Sequence, residues 1–155
     1  MASIFSKIIS GDIPCFKVAE NDNFLAFLDI NPNTKGHTLC IPKVEVDDFL
    51  DLDPELFKEL ISFSRNVALA IKNTIPCEKV ALSIVGLEVP HVHVHLIPIT
   101  EIKDVTFINK VKLEKDEFID VSNKISLAYT VLFNWIFIVV PSPIIEETTS
   151  IVPLW

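Results

Sequence analysis

The order of the predicted elements favours an α+β fold. Strands that can form a hairpin come first, one long helix follows, and further strands come after it, so strands and helices do not alternate as in a parallel α/β sheet. The chain has 155 residues, which is enough for one domain with a real hydrophobic core. Half of the residues (50%) are apolar and only 3 are Gly, which excludes collagen-like and Gly-rich disordered chains.

The first third of the chain predicts one short helix and three strands. Ser3 can cap a helix over residues 4–10, and Gly11 is suited to end it. Short apolar runs bounded by turn residues predict strands over 15–20, 24–30 and 37–41.

The middle of the chain predicts a long amphipathic helix. Asp53 is a good N-cap residue and Pro54 suits the first helical position. Apolar residues then recur at helical spacing to about Ile75, and Pro76 ends the helix. The rest of the pattern predicts strands over 79–85 and 91–97 and a polar-faced helix over 113–125.

Three of the four histidines, His91, His93 and His95, stand at alternate positions. On a strand they would share one face, and the apolar residues between them would point to the other. A purely structural row would need a separate buried partner for each imidazole, which counts against that interpretation.

Two kinds of chemistry could use this row. Zinc can be bound by alternate histidines of a strand, but His91 and His95 would lie ~13 Å apart at ~3.3 Å per residue. A metal site would therefore use two of the three with another ligand, such as His37, and would leave one unexplained. An imidazole can instead attack a phosphoryl centre while its neighbours hold the oxygens. The row favours this second chemistry, with no resident metal or cofactor.

Three stretches of the chain follow a pattern known from other proteins. HVHVHLI over 91–97 has the form His-φ-His-φ-His-φ-φ, in which φ is apolar, and it is preceded by FSKIISGDIPCFKVAEND and FLAFLDINPNTKGHTLCIPK. The first resembles the signature, and the other two the strand–loop–strand region, of the histidine-triad nucleotide-binding proteins, most closely their small bacterial branch. The resemblance covers about residues 4–100. It implies a histidine-triad fold, with a five-stranded antiparallel sheet, one long helix and one or two short helices, and a homodimer with two nucleotide sites.

The resemblance also implies an activity and a set of catalytic residues. The family hydrolyses or transfers nucleoside monophosphates from phosphoramidates, acyl-adenylates or dinucleoside polyphosphates. His93 corresponds to the nucleophile, and His91 and His95 to residues that orient it and hold the α-phosphate. His37 corresponds to a fourth histidine that supports the triad. Two alternatives stay open: a nucleotide-binding module with little catalysis, and a metal-dependent phosphohydrolase.

The nucleotide-binding residues are implied in the same way. Asp29 corresponds to the acid that accepts hydrogen bonds from the ribose hydroxyls, although it could simply cap the turn that follows it. The other expected contacts with a purine nucleotide are Phe5, Ile8, Phe27, Ile30, Glu88 and Val89. The first four of these would surround the base, with ordinary core packing as the alternative.

The chain also departs from the family pattern. The loop before the triad is only Gly86–Pro90, and Glu88 stands where a Ser or Thr usually contacts the leaving group. A carboxylate there would repel a polyphosphate. The cysteines that bind zinc near the N-terminus of family members are absent.

Charge and hydropathy separate the end of the chain from the rest. The net charge of −8 argues against binding to a nucleic-acid polymer. The mean hydropathy of +0.44 is high for an acidic chain, and its source is the uncharged segment from Ile125 to Ile145. We expect a catalytic domain over 1–126 and an apolar extension over 127–155.

The extension and the cysteines bear on location. The uncharged segment approaches the ~20 residues that span a bilayer, but Pro141 and Pro143 interrupt it. Membrane contact through 127–145 is therefore less favoured than an added element that covers the domain or its partner subunit. The N-terminus shows no secretory signal and the three cysteines form no pairing pattern, which predicts a cytoplasmic protein.

Overall fold

One antiparallel sheet of five strands organises residues 2–133, the part of the chain that the computed structural model describes. Its strands are β1 (Lys17–Glu20), β2 (Phe24–Leu28), β3 (Thr38–Pro42), β4 (Lys79–Ile84) and β5 (Val94–Ile99). The helices are α1 (Ile4–Ile9), α2 (Pro54–Thr74) and α3 (Lys115–Phe133), with a 3₁₀ turn at Ile102–Val105. The strand order β1-β2-β3-β5-β4 and the antiparallel pairing confirm the α+β prediction.

Alternation along the strands creates two separate cores on the two faces of the sheet. Ala26, Cys40 and Val94 belong to the larger core, which α2 and α3 cover. Leu39 and Phe27 point the other way and form a smaller core with α1. The triad occupies this second face, because the period of two that buries the apolar residues under the long helices turns the histidines away from them.

Two helices begin where the sequence predicts. The Ser3 hydroxyl accepts the backbone N–H of Ser6 at the start of α1. The Asp53 carboxylate accepts the N–H groups of Glu55 and Leu56 at the start of α2. Both contacts satisfy N–H groups that a helix start otherwise leaves without partners.

The third helix is longer than predicted. It was expected to end at residue 125, where the charged residues stop, but it continues to Phe133. Tyr129 is buried and packs on Phe63 with ring centroids 6.0 Å apart. Loss of charge therefore did not end the helix, because its apolar face still had a core to cover.

The last strand begins three residues later than predicted. Its pairing with β3 stops at the Cys40–Val94 pair. The N–H of Val92 donates instead to the carbonyl of Val46 at 2.7 Å. His91 and His93 consequently precede the ladder, whereas His95 lies within it, opposite Leu39.

Within residues 2–133, no helix has the length and apolar character needed to cross a membrane. Most of the segment 127–145, for which membrane contact was considered, lies outside the described residues. Cys15, Cys40 and Cys77 are all free thiols.

Candidate active site

Two adjoining cavities meet at the end of the triad. One, the polar cavity, has a mixed polar and apolar lining and a volume of about 400 Å³, and the other, the apolar cavity, is mostly apolar with a volume of about 290 Å³. Five residues line both of them and mark their junction: Asp29, Asn31, Glu88, His93 and His95. A molecule with one apolar and one anionic end could therefore bind across the junction and contact both histidines.

His93 presents an unprotonated nitrogen at this junction. Its Nδ1 lies 2.7 Å from the carbonyl oxygen of His91, which can only accept a hydrogen bond. Nδ1 therefore carries the proton in the neutral ring, and the lone pair is on Nε2. Within residues 2–133, Nε2 has no hydrogen-bond partner. The ring of Phe5 packs edge-on against it, with centroids 5.2 Å apart.

His95 presents the opposite group, an N–H donor. The backbone N–H of Asn33 donates to Nδ1 of His37 at 3.1 Å, so the proton of His37 is on Nε2. That Nε2–H donates to Nδ1 of His95 at 3.0 Å, which places the proton of His95 on its own Nε2. One backbone amide thus fixes both tautomers and directs the His95 N–H away from His37.

His37 and His95 form a hydrogen-bonded relay in which both rings stay neutral. Burial, with a smaller contribution from the charge of Lys110, lowers the pKa of His37 to about 3. Burial also lowers the pKa of His95 to about 3, with smaller contributions from His37 and His93. Because neither ring is charged near pH 7, the relay transmits hydrogen-bond direction and carries no charge.

Asp29 lies beside the relay. Its Oδ1 accepts the N–H of Asn31 at 2.8 Å, which is the turn-capping contact that its sequence position allows. Its Oδ2 lies 3.6 Å from Nδ1 of His37. This contact is not an ion pair, because the His37 ring is neutral and its Nδ1 already accepts from Asn33.

The same three side chains could in principle hold a metal ion. Ligand atoms of Asp29, His37 and His95 lie within 4.8 Å of one another. However, His37 and His95 are hydrogen-bonded to each other, so a metal would have to break the relay that fixes their tautomers.

His91 differs from the other two members of the triad. It is fully buried, its Nε2 lies 2.8 Å from the carbonyl of Pro42, and its Nδ1 lies 3.0 Å from the Ser3 hydroxyl. Both ring nitrogens are therefore occupied inside the protein, and His91 lines neither cavity. The sequence argument that a buried row could not find separate partners is wrong, because each imidazole has one.

Comparison with known proteins identifies the family. The sequence matches the HIT domain over residues 10–102. The chain belongs to the HIT family. An uncharacterized HIT-like protein of Helicobacter pylori is 40% identical over 98 residues, which cover 61% of this chain and 94% of the relative. The adenosine 5'-monophosphoramidase of Schizosaccharomyces pombe is 41% identical over 102 residues, covering 63% of this chain and 74% of the relative.

Solved structures agree with the assignment. A zinc-bound histidine triad family protein from Mycobacterium smegmatis has a TM-score of 0.74 and 28% identity, and covers 85% of this chain and 96% of its own. The two folds therefore correspond over most of both chains.

The HIT fold brings the predicted site residues together. The expected nucleotide contacts all line the apolar cavity: Phe5, Ile8, Phe27, Asp29, Ile30, Glu88 and Val89. Phe5 and Phe27 meet edge to face there, with centroids 5.7 Å apart. Ile30 is 75% exposed and therefore lies at the rim of the cavity. His37 lines neither cavity and is linked to the site by its hydrogen bond to His95.

The residues that sequence reasoning missed in this HIT protein include four that line the polar cavity. Asn31 lines both cavities, and Thr106, Phe107 and Lys110 line the polar one. Phe107 packs edge-on against His95, with centroids 4.9 Å apart, and has a φ of 60°. No periodic pattern marks this segment, since it follows β5 as irregular chain and only the folded structure returns it to the triad.

Proposed function

We propose that this HIT protein hydrolyses or transfers a nucleoside monophosphate from a phosphorus-linked substrate through a covalent nucleotidyl-His93 intermediate. The observation that carries the proposal is the pairing of two nitrogens at the cavity junction. His93 offers a lone pair on Nε2, and His95 offers a proton on its Nε2. A nucleophile beside a hydrogen-bond donor is the arrangement that displacement at phosphorus requires.

The proposed reaction has two displacements. In the first, Nε2 of His93 attacks the α-phosphorus, a P–N bond forms, and the leaving group departs with the electron pair of its own bond; an amine leaving group also takes up one proton from bulk water. The Nε2–H of His95 donates to a non-bridging oxygen and stabilises the charge that develops there. In the second, water attacks the phosphorus, the P–N bond breaks, and the electron pair returns to Nε2. The attacking water loses one proton to bulk water as the nucleoside monophosphate forms.

The cavities suggest how the substrate is oriented. A purine base fits the apolar cavity beside Phe5 and Phe27. The ribose would lie at the junction, where the Oδ2 of Asp29 can accept from its hydroxyls. The α-phosphate would then lie near His93 and His95, and the leaving group would extend into the polar cavity.

A substrate panel tests the proposal. Adenosine 5'-phosphoramidate, an acyl-adenylate and a dinucleoside polyphosphate are incubated with wild type and with His93→Asn, and released AMP is measured. We expect wild type to release AMP and the variant to lose turnover by about 10³-fold or more. The variant should still bind AMP, which serves as its folding control. Wild type that releases no AMP from any substrate would contradict the proposal and leave a nucleotide-binding module.

A metal-dependent phosphohydrolase is the second candidate, supported by the cluster of Asp29, His37 and His95. Exhaustive chelation separates the two mechanisms. The covalent mechanism predicts that AMP release is unchanged after chelation. It also predicts that a substrate radiolabelled at the α-phosphate leaves an acid-labile label on the wild-type protein but not on His93→Asn. A rate that collapses on chelation and returns with zinc would favour the metal.

We also propose that the protein is a cytoplasmic homodimer that pairs through β4. This strand is at the sheet edge and exposes Leu82, with Val85 exposed directly after it, and an exposed apolar edge favours pairing with another strand. Light scattering should give twice the mass of one chain. We further propose that the catalytic domain spans residues 1–126. Truncation after Phe133 tests the role of the extension without cutting α3.

A further inference from the structure

A lysine is held at the polar cavity by two uncharged groups. Nζ of Lys110 donates to Oδ1 of Asn33 at 2.7 Å and lies 5.1 Å from the ring centroid of Phe107. Asn33 is itself buried, with 5% exposure, and its Nδ2 donates to the carbonyl of Asp104 at 2.9 Å. The ammonium group is therefore oriented by a fixed amide and an aromatic face.

The charge of this lysine is not neutralised by a neighbour. Within residues 2–133 no carboxylate forms an ion pair with Lys110. Six other lysines of that part of the chain do have carboxylate partners: Lys17, Lys35, Lys43, Lys58, Lys103 and Lys124. Lys110 thus retains donor capacity and a full positive charge toward the cavity.

The charged side chains are distributed unevenly between the two cavities. Asp29 and Glu88 line both cavities, so they lie at the junction where the nucleoside would bind. Lys110 lines only the polar cavity. The positive charge therefore lies on the side away from the base, where the leaving group would extend.

We propose that Lys110 is a specificity-determining residue that binds negative charge on the leaving group, and thereby favours substrates with a phosphate or carboxylate leaving group over phosphoramidates. This inference rests on the proposed function of the same site. A phosphoramidate releases an uncharged amine and gives Lys110 nothing to stabilise, whereas a leaving oxyanion gains a charge-assisted hydrogen bond.

The role of Asn33 strengthens the assignment. Its side chain orients Lys110, and its backbone N–H sets the tautomer of His37 and through it that of His95. One buried residue thus couples the donor for the α-phosphate to the cation for the leaving group. The contact also explains why the missing Ser or Thr of the loop before the triad need not exclude an anionic leaving group.

Equilibrium binding tests the inference without relying on turnover. AMP fills only the nucleoside and α-phosphate region, whereas diadenosine tetraphosphate also reaches the polar cavity. The ratio of their dissociation constants is measured on His93→Asn, alone and combined with Lys110→Ala, Lys110→Arg or Lys112→Ala. We expect Lys110→Ala to weaken diadenosine tetraphosphate relative to AMP by tenfold or more, and Lys110→Arg to retain most of the preference. Lys112→Ala removes the same charge two residues away, from a position that lines neither cavity, and should change the ratio less than twofold.

Turnover then identifies the chemistry of the leaving group. With His93 intact, Lys110→Ala should lower kcat/KM for diadenosine tetraphosphate relative to adenosine 5'-phosphoramidate by tenfold or more. An equal relative loss with an acyl-adenylate extends the preference to carboxylates, and its absence restricts the preference to phosphates. Equal binding ratios in Lys110→Ala and Lys112→Ala would overturn the inference. The expected binding ratios in the His93→Asn background, together with a wild type that releases no AMP, would instead overturn only the proposed function.

Discussion

The two ends of the triad have the same sequence pattern and opposite environments. At the buried end, both ring nitrogens of His91 are bonded to protein groups and the ring has no accessible surface. At the cavity end, His93 and His95 each hydrogen-bond through Nδ1 alone within residues 2–133, and each lines both cavities. The spacing in the sequence therefore identifies the row of histidines. The number of ring nitrogens that are not bonded to protein groups separates the histidine that stabilises the fold from those that can contact a substrate.

The difference also explains how the hydrogen bonds of the row acquire a fixed direction. The backbone carbonyls of His91 and Pro42 can only accept a hydrogen bond, and the backbone N–H of Asn33 can only donate one. These three groups fix the positions of the protons on the rings. Backbone groups thus set which ring nitrogen carries a proton, and no buried charge is needed. The comparison predicts that changes at the cavity end act on rate, whereas changes at the buried end act on stability.

Loss of the His95 donor should have the largest effect. His95→Leu keeps the volume but removes the N–H that would stabilise the phosphoryl oxygens, so kcat should fall by about 10²–10³-fold. His95→Gln retains an amide donor and should recover part of that loss. AMP release under saturating substrate measures both. A His95→Leu variant with normal kcat would show that the cavity end of the triad does not act on the rate.

Removal of the His91 ring should mainly destabilise the fold. His91→Ala removes the ring from the Ser3 hydroxyl, which keeps its contact with Ser6, and from the Pro42 carbonyl, and a buried group left without a partner costs about 1–3 kcal/mol. The backbone carbonyl that holds His93 remains in the variant, so kcat per folded molecule should fall much less than in His95→Leu. Urea unfolding and active-site titration separate the two quantities. A kcat loss as large as that of His95→Leu, with unchanged stability, would reverse the roles of the two ends.

Much of this arrangement was predictable because it depends on short-range pattern. The alternation of His and apolar residues placed Val94 in the helix-covered core and His95 on the other face, and Asp53 and Pro54 marked the start of α2. The satisfied state of His91 was not predictable, because Ser3 and Pro42 approach it only through folding. Lys110 was missed for the same reason, as its partner Asn33 is distant in sequence.

The pH dependence of unfolding should reveal the neutral relay. In the unfolded chain a histidine takes up a proton near pH 6.5, whereas burial delays protonation of His37 and His95 in the fold until about pH 3. Their contribution is therefore complete above pH 6.5 and is lost as the pH falls toward 3, by up to about 1.4 kcal/mol per pH unit for each ring. The free energy of unfolding, measured between pH 7 and pH 5, should fall less steeply in His37→Gln. Parallel curves for that variant and wild type would show that the relay is not held neutral.

The smallest effect should come from the contact that attaches α1 to the buried end. The Ser3 hydroxyl accepts the N–H of Ser6 and, since Nε2 of His91 must donate to Pro42, it donates to Nδ1 of His91. The Ser3 backbone N–H also donates to Glu45 at 3.0 Å. Ser3→Ala removes only the hydroxyl contacts and should cost about 1 kcal/mol, the usual cost of a lost helix cap. Ser10→Ala at the other end of the same helix is the matched control, because its hydroxyl bonds only exposed groups. If urea midpoints fall equally for both serines, the link between helix α1 and His91 adds nothing, and the stability of the buried end rests on the Pro42 contact alone.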